Sequence, residues 1–201
     1  MLKVALTGGL ASGKSFVAKT LEELGCFLIQ ADRLGHAVLN PGGEAYEPVV
    51  REFGGDILDN EKRIVRRRLA SEVFDKPDRL ALLNGLVHPP VRARIERLMK
   101  EFAAGDPKGI AVVEAAIHIE TGGYRNYDKV ILAWCTREQQ IERAMERDGA
   151  LREDVEARLR RQMPLEEKRK YADYVIDTSG SKEETVRQTR AIYQELRSIG
   201  K

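Results

Sequence analysis

The sequence predicts a doubly wound α/β fold on a mainly parallel five-stranded sheet, and three observations predict it. Short apolar runs recur at Val4–Leu6, Phe27–Ile29, Ile110–Val113, Val130–Trp134 and Tyr174–Ile176, rich in β-branched or aromatic residues as buried parallel strands are. Helical patterns follow several of them, at Ser15–Leu24, Arg137–Arg147 and Glu183–Ile199. A glycine-rich turn joins the first run to the first helix, at the sheet edge where open α/β folds form their sites.

That turn reads Gly8-Gly9-Leu10-Ala11-Ser12-Gly13-Lys14-Ser15 and fits G-x-x-x-x-G-K-[ST]. Strand, glycine-rich turn and helix in that order make a phosphate-binding loop (P-loop) of the NTPase type. Glycines let the backbone curl until N–H groups point inward at phosphate oxygens. The helix N-terminus adds its partial positive charge, and Lys14, on a solvent-facing loop, reaches the β- and γ-phosphates. Ser15 offers its hydroxyl to Mg²⁺. The expected ATP-binding residues here are Gly8, Ala11, Ser12, Gly13, Lys14, Ser15 and Phe16. A turn that binds nothing is the alternative, and the lysine, the serine and the flanking elements all speak against it.

Just after the second strand stands Asp32, at the same edge of the sheet as the loop. A carboxylate there accepts the proton of an acceptor hydroxyl or orients it for attack. It also makes a good cap for a helix over Arg33–Leu39. Position alone leaves both readings open.

Two stretches interrupt the alternation. Between Pro41 and Pro107 only helical segments appear, at Ala45–Phe53, Arg66–Phe74, Arg79–Val87 and Pro90–Phe102. They suggest a helical insertion where a second substrate sits. Asp148–Lys168 is dense in arginine and glutamate and reads as a mobile lid or a solvated hairpin. The expected layout is a nucleotide-binding core of residues 1–40, 105–147 and 169–201, an insertion of 41–104 and a lid of 148–168.

Composition narrows the class. In 201 residues, 42% hydrophobic content supports a core, and a net charge of +2 gives no bulk attraction for nucleic acid. No apolar stretch approaches a membrane span, and the chain opens on a strand pattern rather than a signal peptide. Cys26 and Cys135 lie far apart in apolar segments without metal or redox spacing, so two buried reduced thiols in the cytoplasm are expected. The absence of an Asn-Lys-x-Asp guanine reader argues against a GTPase switch. The third strand ends in Glu114, the candidate for a metal-side carboxylate.

An ordered series of segments then resembles the dephospho-coenzyme A kinase family over essentially the whole chain. VALTGGLASGKS resembles the family's first strand and loop, and QADRLGHAVLNPGGEAY its second strand and acidic residue. FGGDIL, LASEVF and NGLVHP resemble landmarks of its helical insertion, and VVEAAIHIETGGY its central strand and acceptor loop. REQQIERAMERDG, ARLRRQMPLEEK and ADYVIDTSGS resemble its lid and last strand. Departures are Ala11 for a usual glycine, Gln30 for a frequent acid, Glu114-Ala115 for a common acid and proline-containing turn, and Thr178 for a frequent asparagine.

The resemblance implies transfer of the ATP γ-phosphate to the ribose 3′-hydroxyl of dephospho-coenzyme A, with Mg²⁺ accompanying ATP. Asp32, Lys14 and Arg143 are the expected catalytic residues, and Arg147 an ATP-binding one whose guanidinium, like that of Arg143, neutralises the transferring phosphoryl group. The resemblance implies Arg158 and Gln162 closing over ATP. Arg143 and Arg147 lie four apart, so they share a helix face, expected toward the lid; pairing with Glu142 or Glu146 is the alternative. Lys62, Arg63, Arg66, Arg67 and Arg68 form either a pyrophosphate contact or a solvated helix start. His88 in LVHPP is expected at a structural corner before a helix, and His36 and His118 show no partner. No nucleic acid, membrane or obligate protein partner is implied. Rival readings are a kinase for another small alcohol or nucleotide, and a non-catalytic nucleotide-binding switch.

Overall fold

A computed structural model describes residues 1–199. Five strands, β1 (Leu2–Thr7), β2 (Phe27–Gln30), β3 (Ile110–Glu114), β4 (Lys129–Trp134) and β5 (Tyr174–Asp177), pair in parallel in the order β2-β3-β1-β4-β5. They coincide with the five expected apolar runs. β3 is buried along its whole length, as a central parallel strand of Ile, Ala and Val should be. Register matters at its end: Leu6 and Gln30 both lie opposite Glu114, so three strands deliver side chains to one point.

Helices α1 (Lys14–Glu23) and α9 (Lys182–Ile199) bury Val17, Leu21, Ile192 and Leu196 against Val4, Leu6, Val112, Ile131 and Ile176 of the sheet. The chain divides into two compact units, one of Met1–Gln30 with everything from Lys100 onward, the other Ala31–Met99. The second unit holds α2 (Ala31–Ala37), α3 (Tyr46–Phe53), α4 (Arg66–Val73) and most of α5 (Pro77–Gly105). Val38, Val49, Phe53, Ile57 and Leu69 form its core.

Helix α5 corrects one expectation. The segments Arg79–Val87 and Pro90–Phe102 are a single 29-residue helix with Pro89 and Pro90 inside it. Each proline forfeits a backbone N–H bond, which ordinarily ends a helix. Here Leu83, Leu86 and Val87 before the prolines and Val91 after them pack on the same core, and that burial carries the helix across the break. His88 is therefore a mid-helix residue rather than a corner before a helix.

Helix α6 (Arg137–Asp148) starts at a capping box made by Thr136 and Gln139 and ends at Gly149, whose φ of 63° is left-handed. Helices α7 (Arg152–Leu159) and α8 (Leu165–Lys168) follow. The stretch between Asp148 and Lys168 is no solvated hairpin. Val155 and Leu159 are buried against Ile141 and Ala144 of α6, with Leu10 and Ala11 packed on the same cluster.

Candidate active site

The loop between β1 and α1 is held peptide by peptide. The Gly8 carbonyl accepts from Lys168 Nζ at 2.9 Å, and the Gly9 N–H donates to Ser12 Oγ at 3.1 Å. The Leu10 N–H donates to Gln162 Oε1 at 2.9 Å, and its carbonyl accepts from Gln140 Nε2 at 2.7 Å. Four groups then differ: the N–H of Ala11 and, past Ser12, of Gly13, Lys14 and Ser15 has no protein acceptor among the described residues. Donors fixed at a helix N-terminus with no internal partner are what phosphate oxygens require.

Two glycines are dictated by space. A Cβ on Gly9 would lie 2.5 Å from Gln140 Nε2. Gly13 has a φ of 78°, and a Cβ there would meet Thr178 at 3.0 Å. Ala11 also adopts a left-handed conformation, with φ 53°, where a side chain costs roughly 1–2 kcal/mol relative to glycine.

Lys14 is not on a solvent-facing part of the loop, and this corrects the sequence reading. It is 9% exposed, and its ammonium lies 2.6 Å from Glu114 Oε1. The Ser15 hydroxyl donates to the same oxygen at 3.0 Å, and Gln30 Nε2 donates to Oε2 at 3.1 Å. Burial pushes the Glu114 carboxyl upward, but Lys14, Gln30 and Ser15 together hold it below the usual carboxylate range. An acid at position 30 would lose this donor and set a second negative charge beside Glu114.

Lys168 was not singled out from sequence. Its side chain is 0% exposed, and it bonds to the Gly8 carbonyl, the Ala116 carbonyl at 2.7 Å and Glu120 Oε1 at 2.8 Å. Burial draws its ammonium below the usual lysine range, partly offset by Glu120. Nothing in LEEKRKYAD marks this lysine among its charged neighbours, and Gln140 hides equally well in REQQIERAM. His118 is buried with Nε2 3.0 Å from the Val113 carbonyl; burial lowers it to about 4, so it is a neutral structural residue at pH 7.

The arginines are dispersed. Arg143 turns to the loop after β5, not toward residues 148–168, donating to the Thr178 carbonyl at 2.7 Å and its hydroxyl at 3.3 Å. Thr178 Oγ1 donates in turn to the Ser12 carbonyl at 2.9 Å. Arg147 pairs with Asp148 at 2.7 Å rather than with Glu142 or Glu146, and Arg158 meets the same carboxylate at 2.7 Å. Gln162 engages the backbone of the phosphate loop itself, at Leu10. Beyond it, Trp134 Nε1 donates to Glu166 Oε1 at 2.9 Å, and Trp134 packs against the cluster of Leu132, Cys135 and Leu165.

In the second unit, Asp32 is exposed in the first turn of α2, a helix that begins at Ala31 rather than Arg33. Its carboxylate makes no hydrogen bond among the described residues, so it caps nothing. In the basic run, Arg63 pairs with Asp59 and Glu61, and Arg68 donates to the Asp56 and Leu58 carbonyls. Cys26 and Cys135 are free and buried, as expected.

A parallel α/β sheet whose first strand feeds a glycine-rich loop, with lysine, hydroxyl and carboxylate gathered beneath it, defines the class of phosphate-loop kinases. The comparisons narrow this. A family model described as dephospho-CoA kinase matches residues 2–184. A dephospho-CoA kinase of Aquifex aeolicus is 42% identical over 98% of both chains. A solved structure from Thermus thermophilus superposes with a TM-score of 0.81 at 33% identity, covering 97% of each chain. A dephospho-CoA kinase from Campylobacter jejuni gives 0.64 at 28% identity over 96% of each. The chain belongs to the dephospho-CoA kinase family and is an ATP-dependent kinase.

Proposed function

We propose that the enzyme transfers the γ-phosphate of ATP to the ribose 3′-hydroxyl of dephospho-coenzyme A, giving coenzyme A and ADP. One observation carries the reading: four unpartnered N–H groups, the Lys14 ammonium and the Ser15 hydroxyl belong to one short loop and helix start, with Glu114 against the last two. Phosphates seated on the N–H groups would share Lys14 with Glu114. The lysine then opposes the charge that spreads over the transferring group, an effect of roughly 10²–10³ in rate for one such contact.

In the acceptor step, the 3′-oxygen attacks the γ-phosphorus, its proton passes to the Asp32 carboxylate, and the bond to the ADP oxygen breaks. That carboxylate has no hydrogen bond among the described residues to give up. Arg143, fixed by Thr178, is proposed to meet the nucleotide, with Arg147 and Arg158 reaching phosphate oxygens in competition with Asp148. Exposed Lys62, Arg66 and Arg67 are the remaining candidates for the coenzyme's pyrophosphate.

Mg²⁺ fits what is present. The Ser15 hydroxyl and Glu114 carboxylate are hard oxygen donors, and this ion is commonly held by one or two such groups plus phosphates. When bound, it supplies charge neutralisation to the phosphates. The proposed layout keeps residues 41–104 as the coenzyme platform and 148–168 as the lid, in a cytoplasmic enzyme. No helix of the described residues is long and apolar enough to cross a membrane.

The test is a coupled ADP-release assay over dephospho-coenzyme A, adenosine and AMP. Remote binding energy from the long arm should make dephospho-coenzyme A far the best by kcat/KM. Equal efficiency on adenosine would overturn the acceptor assignment. ADP release indifferent to every acceptor would favour a nucleotide-binding switch.

A further inference from the structure

We propose that Lys168 is a positioning residue for phosphoryl transfer: its buried ammonium clamps the first peptide of the phosphate loop to the segment after β3. An ammonium has three N–H donors. Three acceptors surround it, the Gly8 carbonyl at 2.9 Å, the Ala116 carbonyl at 2.7 Å and Glu120 Oε1 at 2.8 Å. With every proton engaged, Lys168 has none left for a phosphate oxygen. Its part is geometric.

The clamp acts where the loop leaves β1. Fixing the Gly8 carbonyl orients the Gly8–Gly9 peptide, whose N–H lies on Ser12 Oγ, and so sets the course of the chain toward the four free donors. Glu120 also accepts from the Met163 N–H at 3.2 Å, and Gln162 accepts from Leu10. Both ends of the stretch from Gln162 to Lys168 are thus tied to the loop or to its neighbour after β3. This stretch continues directly from α7, so a displacement of residues 148–168 pulls on Gly8 and Leu10. Fully burying a lysine is disfavoured unless it is paired, and an apolar residue would fill the same space more cheaply. Loop geometry is what the cation adds.

The inference rests on the loop being the ATP seat, and the test separates the two. Lys168→Met, Lys168→Arg and Lys14→Met are compared with wild type in steady-state kinetics and urea unfolding. In Lys168→Met, kcat/KM for ATP should fall about 10²-fold per folded molecule, the scale of a misplacement near 1 Å, while KM for dephospho-coenzyme A stays within about threefold. Lys168→Arg should recover part of the loss, since a planar fork cannot converge its donors as an ammonium does. A Lys168→Met enzyme that unfolds cooperatively with wild-type ATP kinetics overturns the proposal. If that variant does not fold, Lys168→Arg decides: an ATP KM raised about fivefold or more, with the acceptor KM unchanged, supports it, and one within about twofold overturns it. Turnover surviving in Lys14→Met would instead sink the ATP-seat reading.

Discussion

The phosphate loop and helix α2, which carries the proposed acceptor carboxylate, are built in opposite ways. Around the loop, Lys14, Glu114, Gln140 and Lys168 are buried and each is bonded to a fixed partner. On α2, Asp32 is exposed and its carboxylate is unbonded among the described residues. A seat for a highly charged, invariant group gains from dipoles set in advance, because no reorganisation is then needed during transfer. A group that must take a proton from an incoming hydroxyl gains from free lone pairs. The contrast predicts that function and stability are separable at one place and entangled at the other.

The sharpest break is Asp32→Asn. Turnover should drop by roughly 10²–10⁴ with ATP affinity kept, while the melting temperature barely moves, since no folded-state bond is lost. Thermal melts beside initial rates check this; lost stability with intact turnover per folded molecule would make Asp32 structural. Lys14→Ala should show the opposite pattern. Alongside a rate loss of about 10²–10³, removing one partner of a buried pair should cost about 3–5 kcal/mol of stability, because the Glu114 carboxylate is left uncompensated. Adding Glu114→Gln should restore the stability without the turnover, and a double variant as fragile as Lys14→Ala would refute that cause.

The pH response sharpens the same contrast. Glu114 has a folded-state pKa below its unfolded value of 4.5, so its contribution is present above that pH and is lost as pH falls through the folded pKa. Melting temperature against pH should therefore show an acid limb below about 4.5 that is shallower in Glu114→Gln, and superimposable limbs would rule Glu114 out as its source. The smallest effect belongs to Ala11→Gly. Relief of left-handed strain, about 1–2 kcal/mol, is opposed by about 0.4–1 kcal/mol of extra unfolded-chain entropy, so urea denaturation should show a gain between zero and about 1.6 kcal/mol.

What could be read from sequence follows from which signals are local. The five strands and the phosphate loop announce themselves because a buried parallel strand is a continuous apolar run and the loop needs glycines at fixed offsets. Helix α5 misled because Pro89-Pro90 is a strong local stop, while the burial that overrides it lies elsewhere in the chain. Lys168 and Gln140 were invisible for a related reason. Their roles depend on acceptors 160 and 130 residues away, at Gly8 and Leu10, and no spacing rule reaches that far. Arg143 was expected to face the lid, but its partner Thr178, in the loop after β5, turns it away from that side.

Trp134 gives this corner an optical consequence. It is the chain's single tryptophan, so all indole emission comes from one place. Its ring N–H is engaged by Glu166, and it packs against a cluster that includes Leu165; both residues are on the helix that ends in Lys168. Undocking that helix would expose the indole edge to water and shift its emission to the red. Movement of this segment can thus be timed in a stopped-flow fluorimeter, without a label, against the rate at which ADP appears.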